Sequence, residues 1–203
     1  NIFLPCRSSS VRIDKKNIKP FCGKKFGLFE LKISQLILVK NINNIIVSTN
    51  DNLIINYLNK KKFKKVILDI RNNNLCRSST STDDLIKYVP TVIKNGHILW
   101  THVTSPFFDN KKYDLAIKLY KKNIKKYDSL MGTTRVKDFI YNKTKPINFN
   151  RNKEKWPRTQ TLKELFLINN SIFLSSRENY IKYNDRIGKK PFYMGTSKID
   201  SFD

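Results

Sequence analysis

The residues best equipped for chemistry stand in one short loop, Pro5-Cys6-Arg7-Ser8-Ser9-Ser10-Val11-Arg12-Ile13-Asp14-Lys15-Lys16-Asn17-Ile18. Arg7, Arg12, Lys15, Lys16 and the nearby Lys19 lie among small hydroxyl side chains, directly after the apolar run Ile2-Phe3-Leu4. Serine hydroxyls and backbone N–H groups let an anion approach closely, and guanidinium and ammonium groups neutralise it. That is the chemistry of a phosphate cradle. A solvated basic loop has the same composition, so these residues alone leave both readings open. Farther along, Arg71 follows the β-rich run 65–70, a hydroxyl cluster runs from Ser78 to Thr82, and Thr104-Ser105-Pro106 follows a run that begins at His97. His102, at the end of that run, reads as a structural histidine ahead of a general base or a substrate contact. His97, which opens it, is structural. Ser8-Ser9-Ser10 lacks the setting of a catalytic triad, which excludes a serine hydrolase. Asp83-Asp84 reads as a helix-opening pair rather than a metal site, and Trp100 and Trp156 as core or interface residues rather than stacking platforms.

These residues must be held by something, and the chain alternates short β-rich runs with longer amphipathic stretches. Strands are expected at 2–6, 44–49, 65–70, 97–103, 170–174 and 192–194. Helices are expected at 26–39, from Asp51 as a cap to Leu58, at 82–93 with Pro90 inside, at 113–124 and at 177–183. Such alternation implies an α/β fold, a mostly parallel sheet with helices on both faces. Ligands of such sheets bind beyond the carboxyl ends of the strands, where the loops after Cys6, Thr49, Ile70 and Val103 all lie. The regularity breaks after about Arg135. Residues 1–135 therefore read as an α/β core, 136–169 as an excursion or small subdomain, and 170–203 as the return to the core.

Composition points elsewhere when read alone. The chain has 203 residues and a net charge of +24, which suggests a polyanionic partner. Its lysines occur in every segment, however, together with abundant Asn, Ile, Tyr and Phe whose codons are AT-rich. A coding bias spread over solvated surfaces explains this better than nucleic-acid binding, which concentrates cations on one face. A nucleoside triphosphate and an anionic sugar would suit the same positive field. No apolar run is long enough to span a membrane, and no basic leader with a cleavage site opens the chain, although a residue or two is expected upstream of Asn1. Cys6, Cys22 and Cys76 have no metal-like spacing and read as free thiols in a reducing cytoplasm.

The opening loop resembles the fingerprint of the acylneuraminate (CMP-sialic acid) cytidylyltransferases, matching it at Arg7, Ser10, Lys16 and Asn17 with Ile13 and Ile18 as apolar spacers. Five further segments follow in order. Ile45-Ile46-Val47-Ser48-Thr49 resembles I-V-S-T-D, and Arg71 to Leu75 with Ser78 to Thr82 resembles R-P-x-x-L-A-x-D-T-A-S-S. Thr104-Ser105-Pro106 resembles Q-P-T-S-P. Arg158-Thr159-Gln160 with Leu162 and Phe166 resembles R-x-Q-x-L-x-x-x-[FY], continuing into Asn169 to Leu174, and Lys198 to Asp203 resembles the start of S-I-D-I-D. The resemblance implies a Rossmann-like, GT-A-type nucleotidyltransferase that moves CMP from CTP onto a 2-keto-3-deoxy sugar acid and releases pyrophosphate. It implies nucleotide contacts from Arg7, Ser10, Arg12, Lys16, Asn17, Arg71, Ser81 and Thr82, with Arg7 and Lys16 also serving catalysis. It implies substrate contacts from His102, Thr104, Ser105, Gln160 and Asn169, with Asp203 as catalytic ligand of a Mg²⁺ cofactor. It implies a homodimer formed through the excursion.

The resemblance has departures. Val11 stands where the family has Lys, with Arg12 or Lys15 able to supply the charge. His102 replaces a Gln, Arg77-Ser78 replaces Ser-Asp, and the sequence ends at Asp203, where a second Asp is expected two residues later. These departures keep two alternatives in view. One is a catalytically impaired nucleotide-binding protein on the same fold. The other is a cytidylyltransferase for another anion, such as a phosphonate.

Overall fold

A computed structural model describes residues 1–8 and 13–202. Its elements run β1 (Ile2–Cys6), α1 (Gly27–Leu36), β2 (Ile45–Thr49), α2 (Asn52–Lys61), β3 (Val66–Ile70), α3 (Thr82–Val92) and β4 (His97–Trp100). They continue as α4 (Asn110–Asn123), β5 (Ser129–Val136), β6 (Leu165–Ser176), α5 (Arg177–Tyr183) and β7 (Pro191–Gly195). Among the described residues the strands form one seven-stranded sheet in the order β3-β2-β1-β4-β6-β5-β7. Only β6 runs antiparallel to its neighbours. The expected α/β architecture is present.

Strand alternation divides the core between the two faces of the sheet. Ile2 and Leu4 of β1, Ile45 and Val47 of β2, and Leu99 of β4 pack on the side covered by α1, α2 and α4. Phe3, Ile46, Ile98 and Trp100 point the other way, against Ile86 and Val89 of α3 and Tyr180 of α5. Each such side chain contributes roughly 1.5–3 kcal/mol by leaving water, so a one-residue register slip would reverse the burial of a whole strand.

The helix starts follow their caps. Asp51 accepts a hydrogen bond from Leu53 N at 2.9 Å, and Asp109 accepts one from Lys112 N at 3.1 Å. Ser81 and Asp84 form a reciprocal capping box on α3, so the Asp83-Asp84 pair does open a helix. Pro90 lies inside α3 without ending it. A proline so placed gives up a backbone N–H, and the nearby carbonyls are taken up by Arg177, whose Nε donates to Pro90 O at 3.2 Å and to Ile93 O at 3.0 Å.

Several boundaries differ from the sequence reading, and one strand was not expected at all. The run from His97 stops at Trp100, and 101–103 begin the next loop. β6 starts at Leu165, five residues before the expected strand. β5, made of Ser129-Leu-Met-Gly-Thr-Thr-Arg-Val136, has no counterpart in the expectations. Small polar residues fill it, and Gly132 is required there: a Cβ would lie 2.6 Å from Asn169 Oδ1 and 2.8 Å from Ser171 Oγ. Between β5 and β6 the chain is largely irregular. It is gathered around Asn148, whose Nδ2 donates to Asp138 O and whose Oδ1 accepts from Ile140 N. Phe139, Phe149 and Trp156 form an aromatic group beside it. No helix among the described residues is long and apolar enough to cross a membrane.

Candidate functional site

The loops after β1, β2 and β3 are tied together at the carboxyl edge of the sheet. Arg7 NH1 donates to the Arg77 carbonyl at 2.8 Å, and Asn17 Nδ2 donates to the Arg7 carbonyl at 3.0 Å. Ser8 N donates to Asn50 Oδ1 at 3.0 Å, and Asn50 Nδ2 donates in turn to Asn73 Oδ1 at 3.0 Å. Asn17 O also accepts from Phe29 N at 2.8 Å, which anchors the β1 loop on α1. The loop can lie this close to the helix because residue 27 is glycine. Its φ is +47°, and a Cβ would sit 1.9 Å from the Lys19 carbonyl oxygen. Sequence distance is thereby converted into one edge. Ser10, Val11, Arg12 and Asp203 lie outside the described residues.

Arg71 follows β3 and is buried, with 3% of its surface exposed. Its backbone N–H donates to Thr49 O at 2.9 Å, and Nε donates to Cys76 Sγ at 3.1 Å. NH1 is buried and has no partner among the described residues. An unpaired donor on a buried guanidinium is costly, so this nitrogen is a vacant place for an acceptor. The neighbouring Cys6 thiol is pushed up by burial and by Asp51, with Arg71 opposing, and stays protonated. It is therefore not a nucleophile.

The other expected residues have unequal surroundings. Lys16 lines a cavity of about 480 Å³ together with Lys19, Phe21, Thr104, Phe107 and Phe202. That cavity joins the β1 loop to the loop after β4. Ser81 spends its oxygen on Asp84 N at 3.0 Å, and Thr82 is exposed on the first turn of α3. Ser105 is buried. His102 Nε2 accepts from Trp100 Nε1 at 2.9 Å, which leaves Nδ1 to carry the proton of the neutral ring. Gln160 is exposed on a short turn, where Oε1 accepts from Thr159 Oγ1 at 3.5 Å. Asn169 is buried in β6 and joins three strands. Its Nδ2 donates to Thr196 Oγ1 at 2.8 Å and to Thr134 Oγ1 at 3.5 Å, while Oδ1 accepts from Ser171 N and Ser171 Oγ. That amide has no capacity left for a ligand in this arrangement.

The described residues do not make a protein cage for a divalent cation: no three His, Cys, Asp or Glu side chains converge among them. Asp200, the acid closest in sequence to Asp203, has its oxygens engaged by Lys112 Nζ at 2.7 Å and by Ser197 N at 3.2 Å. Burial works to raise its pKa, but the bonds from Lys112 and Ser197 outweigh this and hold the carboxyl below its usual value.

One central residue escaped the sequence reading. Lys32 of α1 is fully buried, and Nζ donates to Ser105 O at 2.7 Å, Phe108 O at 2.8 Å and Tyr113 OH at 3.1 Å. It braces the loop that carries Thr104 and Ser105. Its signal was present: Lys32 falls in the helical apolar stripe of Phe29, Ile33 and Leu36.

A three-loop carboxyl edge with a buried guanidinium, a cationic first loop and an adjoining, largely apolar cavity is the arrangement of a nucleotide-binding α/β protein. The family described as Cytidylyltransferase matches residues 2–202, and the chain belongs to it; the protein is an enzyme of the nucleotidyltransferase class. Among solved structures it is similar to a CMP:2-keto-3-deoxy-manno-octonic acid synthetase complexed with CTP. That pair shares 14% identity with a TM-score of 0.67, over 96% of this chain and 89% of that one. It is also similar to 4-diphosphocytidyl-2C-methyl-D-erythritol synthase from Anaerococcus prevotii, at 14% identity and a TM-score of 0.66, over 100% of this chain and 89% of that one. A cytidylyltransferase from Leptospira borgpetersenii shows 17% identity and a TM-score of 0.53, over 89% of this chain and 61% of that one. No curated protein sequence matches.

Lys32 gives the site a pH signature. Burial draws its pKa from 10.5 to about 7, with Asp109 opposing. Between those values the unfolded chain binds more protons than the folded one, so stability rises with pH across that window and is flat below it. Urea unfolding of the wild type should gain up to ~2.7 kcal/mol over Lys32→Met between pH 7 and pH 9, at ~1.36 kcal/mol per pH unit. A constant difference between the two proteins would refute the assignment.

Proposed function

We propose that the enzyme transfers CMP from CTP to the anomeric hydroxyl of a 2-keto-3-deoxy sugar acid, releasing pyrophosphate. The hydroxyl oxygen attacks the α-phosphorus, the bond from that phosphorus to the α,β-bridging oxygen breaks, pyrophosphate leaves with the electron pair, and the hydroxyl proton passes to solvent. The observation that carries the reading is Arg71 NH1, buried and without a partner among the described residues, near the Arg7 and Asn17 positions that are tied to each other and to Arg77. A cytosine carbonyl or a phosphate oxygen supplies the acceptor that nitrogen lacks. Arg7, Ser10, Arg12, Lys16 and Asn17 would hold the triphosphate and base, and Thr82 and the Ser81 hydroxyl would close the nucleotide side. Thr104, His102, Ser105 and Gln160 would border the acceptor. Preorganised cations facing the phosphates stabilise charge that develops during in-line displacement. Mg²⁺ belongs to the proposal as an ion bound largely by phosphate oxygens and water, with Asp203 as its protein carboxylate. Its contribution would be charge neutralisation on the triphosphate. The synthetase complexed with CTP supports this reading.

The test is pyrophosphate release from CTP and Mg²⁺ with a panel of sialic, legionaminic, pseudaminic and Kdo-type acids and, beside them, a phosphonate. Turnover of at least one acid, with little from ATP or GTP, is expected. Turnover of none contradicts the acceptor class. Turnover of a phosphonate alone would favour the other acceptor class.

The proposal extends to a homodimer through the excursion and the adjoining part of β6. Trp156, Leu167 and Ile168 are 65%, 62% and 56% exposed, apolar side chains that an interface through this region would cover. Sedimentation should give a mass near twice 23.9 kDa, falling to the monomer in Leu167→Asp/Ile168→Asp; a monomeric wild type would contradict it.

A further inference from the structure

Arg186 lies in the loop between α5 and β7, outside every motif noted above. Its guanidinium carbon stands 3.6 Å from the centroid of the Phe173 ring and 5.4 Å from that of Trp100. Phe173 and Trp100 are register partners on β6 and β4, and Trp100 is the last residue of its strand. The cation therefore sits at the carboxyl edge, on the α3/α5 side. Trp100 also donates its indole N–H to His102, two residues farther along, so His102 and Arg186 share one aromatic support.

That support fixes the charge without neutralising it. Arg186 makes no ion pair and no hydrogen bond among the described residues. Asp185, its neighbour, directs Oδ1 to Ile187 N at 3.3 Å. The side chain is partly buried, and burial works against its charged form. A ring face under a guanidinium leaves the edge of the fork free, and that edge is the part that binds a carboxylate through two parallel N–H donors. The position is also separate from Arg71, which lies past β2 and β1 at the far edge strand.

We infer that Arg186 is a specificity-determining residue that receives the carboxylate of the acceptor, held in place by Phe173 and Trp100. This rests on the acceptor class proposed above. It explains how a site with His102 in place of a glutamine can still select an acid: the cation comes from the α5–β7 loop.

The experiment compares wild type, Arg186→Met and Arg186→Lys with N-acetylneuraminic acid, 2-keto-3-deoxy-manno-octonic acid and their methyl esters. Met keeps an apolar chain over Phe173 and removes the charge. Loss of a charge-assisted pair should lower acceptor kcat/KM by ~10- to 100-fold, leave the KM for CTP within about twofold, and abolish the preference for acid over ester. Lys should restore part of that preference. If Met retains the wild-type acid preference, or if both KM values shift together, Arg186 is structural and the inference fails. Should wild type turn over none of these acids, the acceptor class fails separately, and calorimetric binding of acid and ester then decides Arg186. Acid binding that is lost in Met supports it; binding that is equal in both proteins, or absent from wild type, overturns it. A CTP-induced thermal shift in each variant shows that it is folded.

Discussion

Burying a guanidinium is the constraint around which this molecule is organised. Arg71 follows β3 with its charge out of water, one nitrogen on a thiol and another on nothing among the described residues. Desolvating a cation costs several kcal/mol unless paired and fully bonded. Such a group persists because the fold around it over-determines its position. The Arg71 N–H is pinned to Thr49, the β1 loop is pinned to the loops after β2 and β3, and Gly27 lets that loop sit on α1. Stability given up at the sheet edge is recovered in two apolar layers beneath it.

The same arrangement recurs on each side of the site. Lys32 carries a buried amine to the carbonyls of Ser105 and Phe108, and Arg186 lays a guanidinium on two rings without an ion pair among the described residues. A net charge of +24 spread over exposed lysines raises the field everywhere and selects nothing. Arg71, Lys32 and Arg186 differ from those lysines in being withdrawn from water and held by the fold.

Most of the parallel half of the sheet was legible in the sequence, because β-branched and aromatic runs such as Ile45-Ile46-Val47 announce buried strands. The helix start at Asp51 was legible through its capping residue, and that of α3 through the Asp83-Asp84 pair, although Ser81 as its cap was not. β5 was not. Ser129, Thr133 and Thr134 are buried polar residues whose partners come from β6, β7 and the loops beside it, and no local pattern records them. In the site, the placing of Arg7, Asn17 and Arg71 at the carboxyl edge was legible because motif and strand end coincide. Asn169 was legible as a motif residue, but its bonds to Thr134, Thr196 and Ser171 appear only once three strands are assembled. Lys32 and Arg186 were missed because each depends on residues distant in sequence.

The central claim is that Arg71 exchanges stability for an acceptor supplied by the nucleotide. The most direct measurement is calorimetric CTP binding to Arg71→Met, with urea unfolding of the same protein without nucleotide. The account predicts at least ~10-fold weaker CTP binding, together with unchanged or higher stability of the free protein. CTP binding equal to that of the wild type would contradict it.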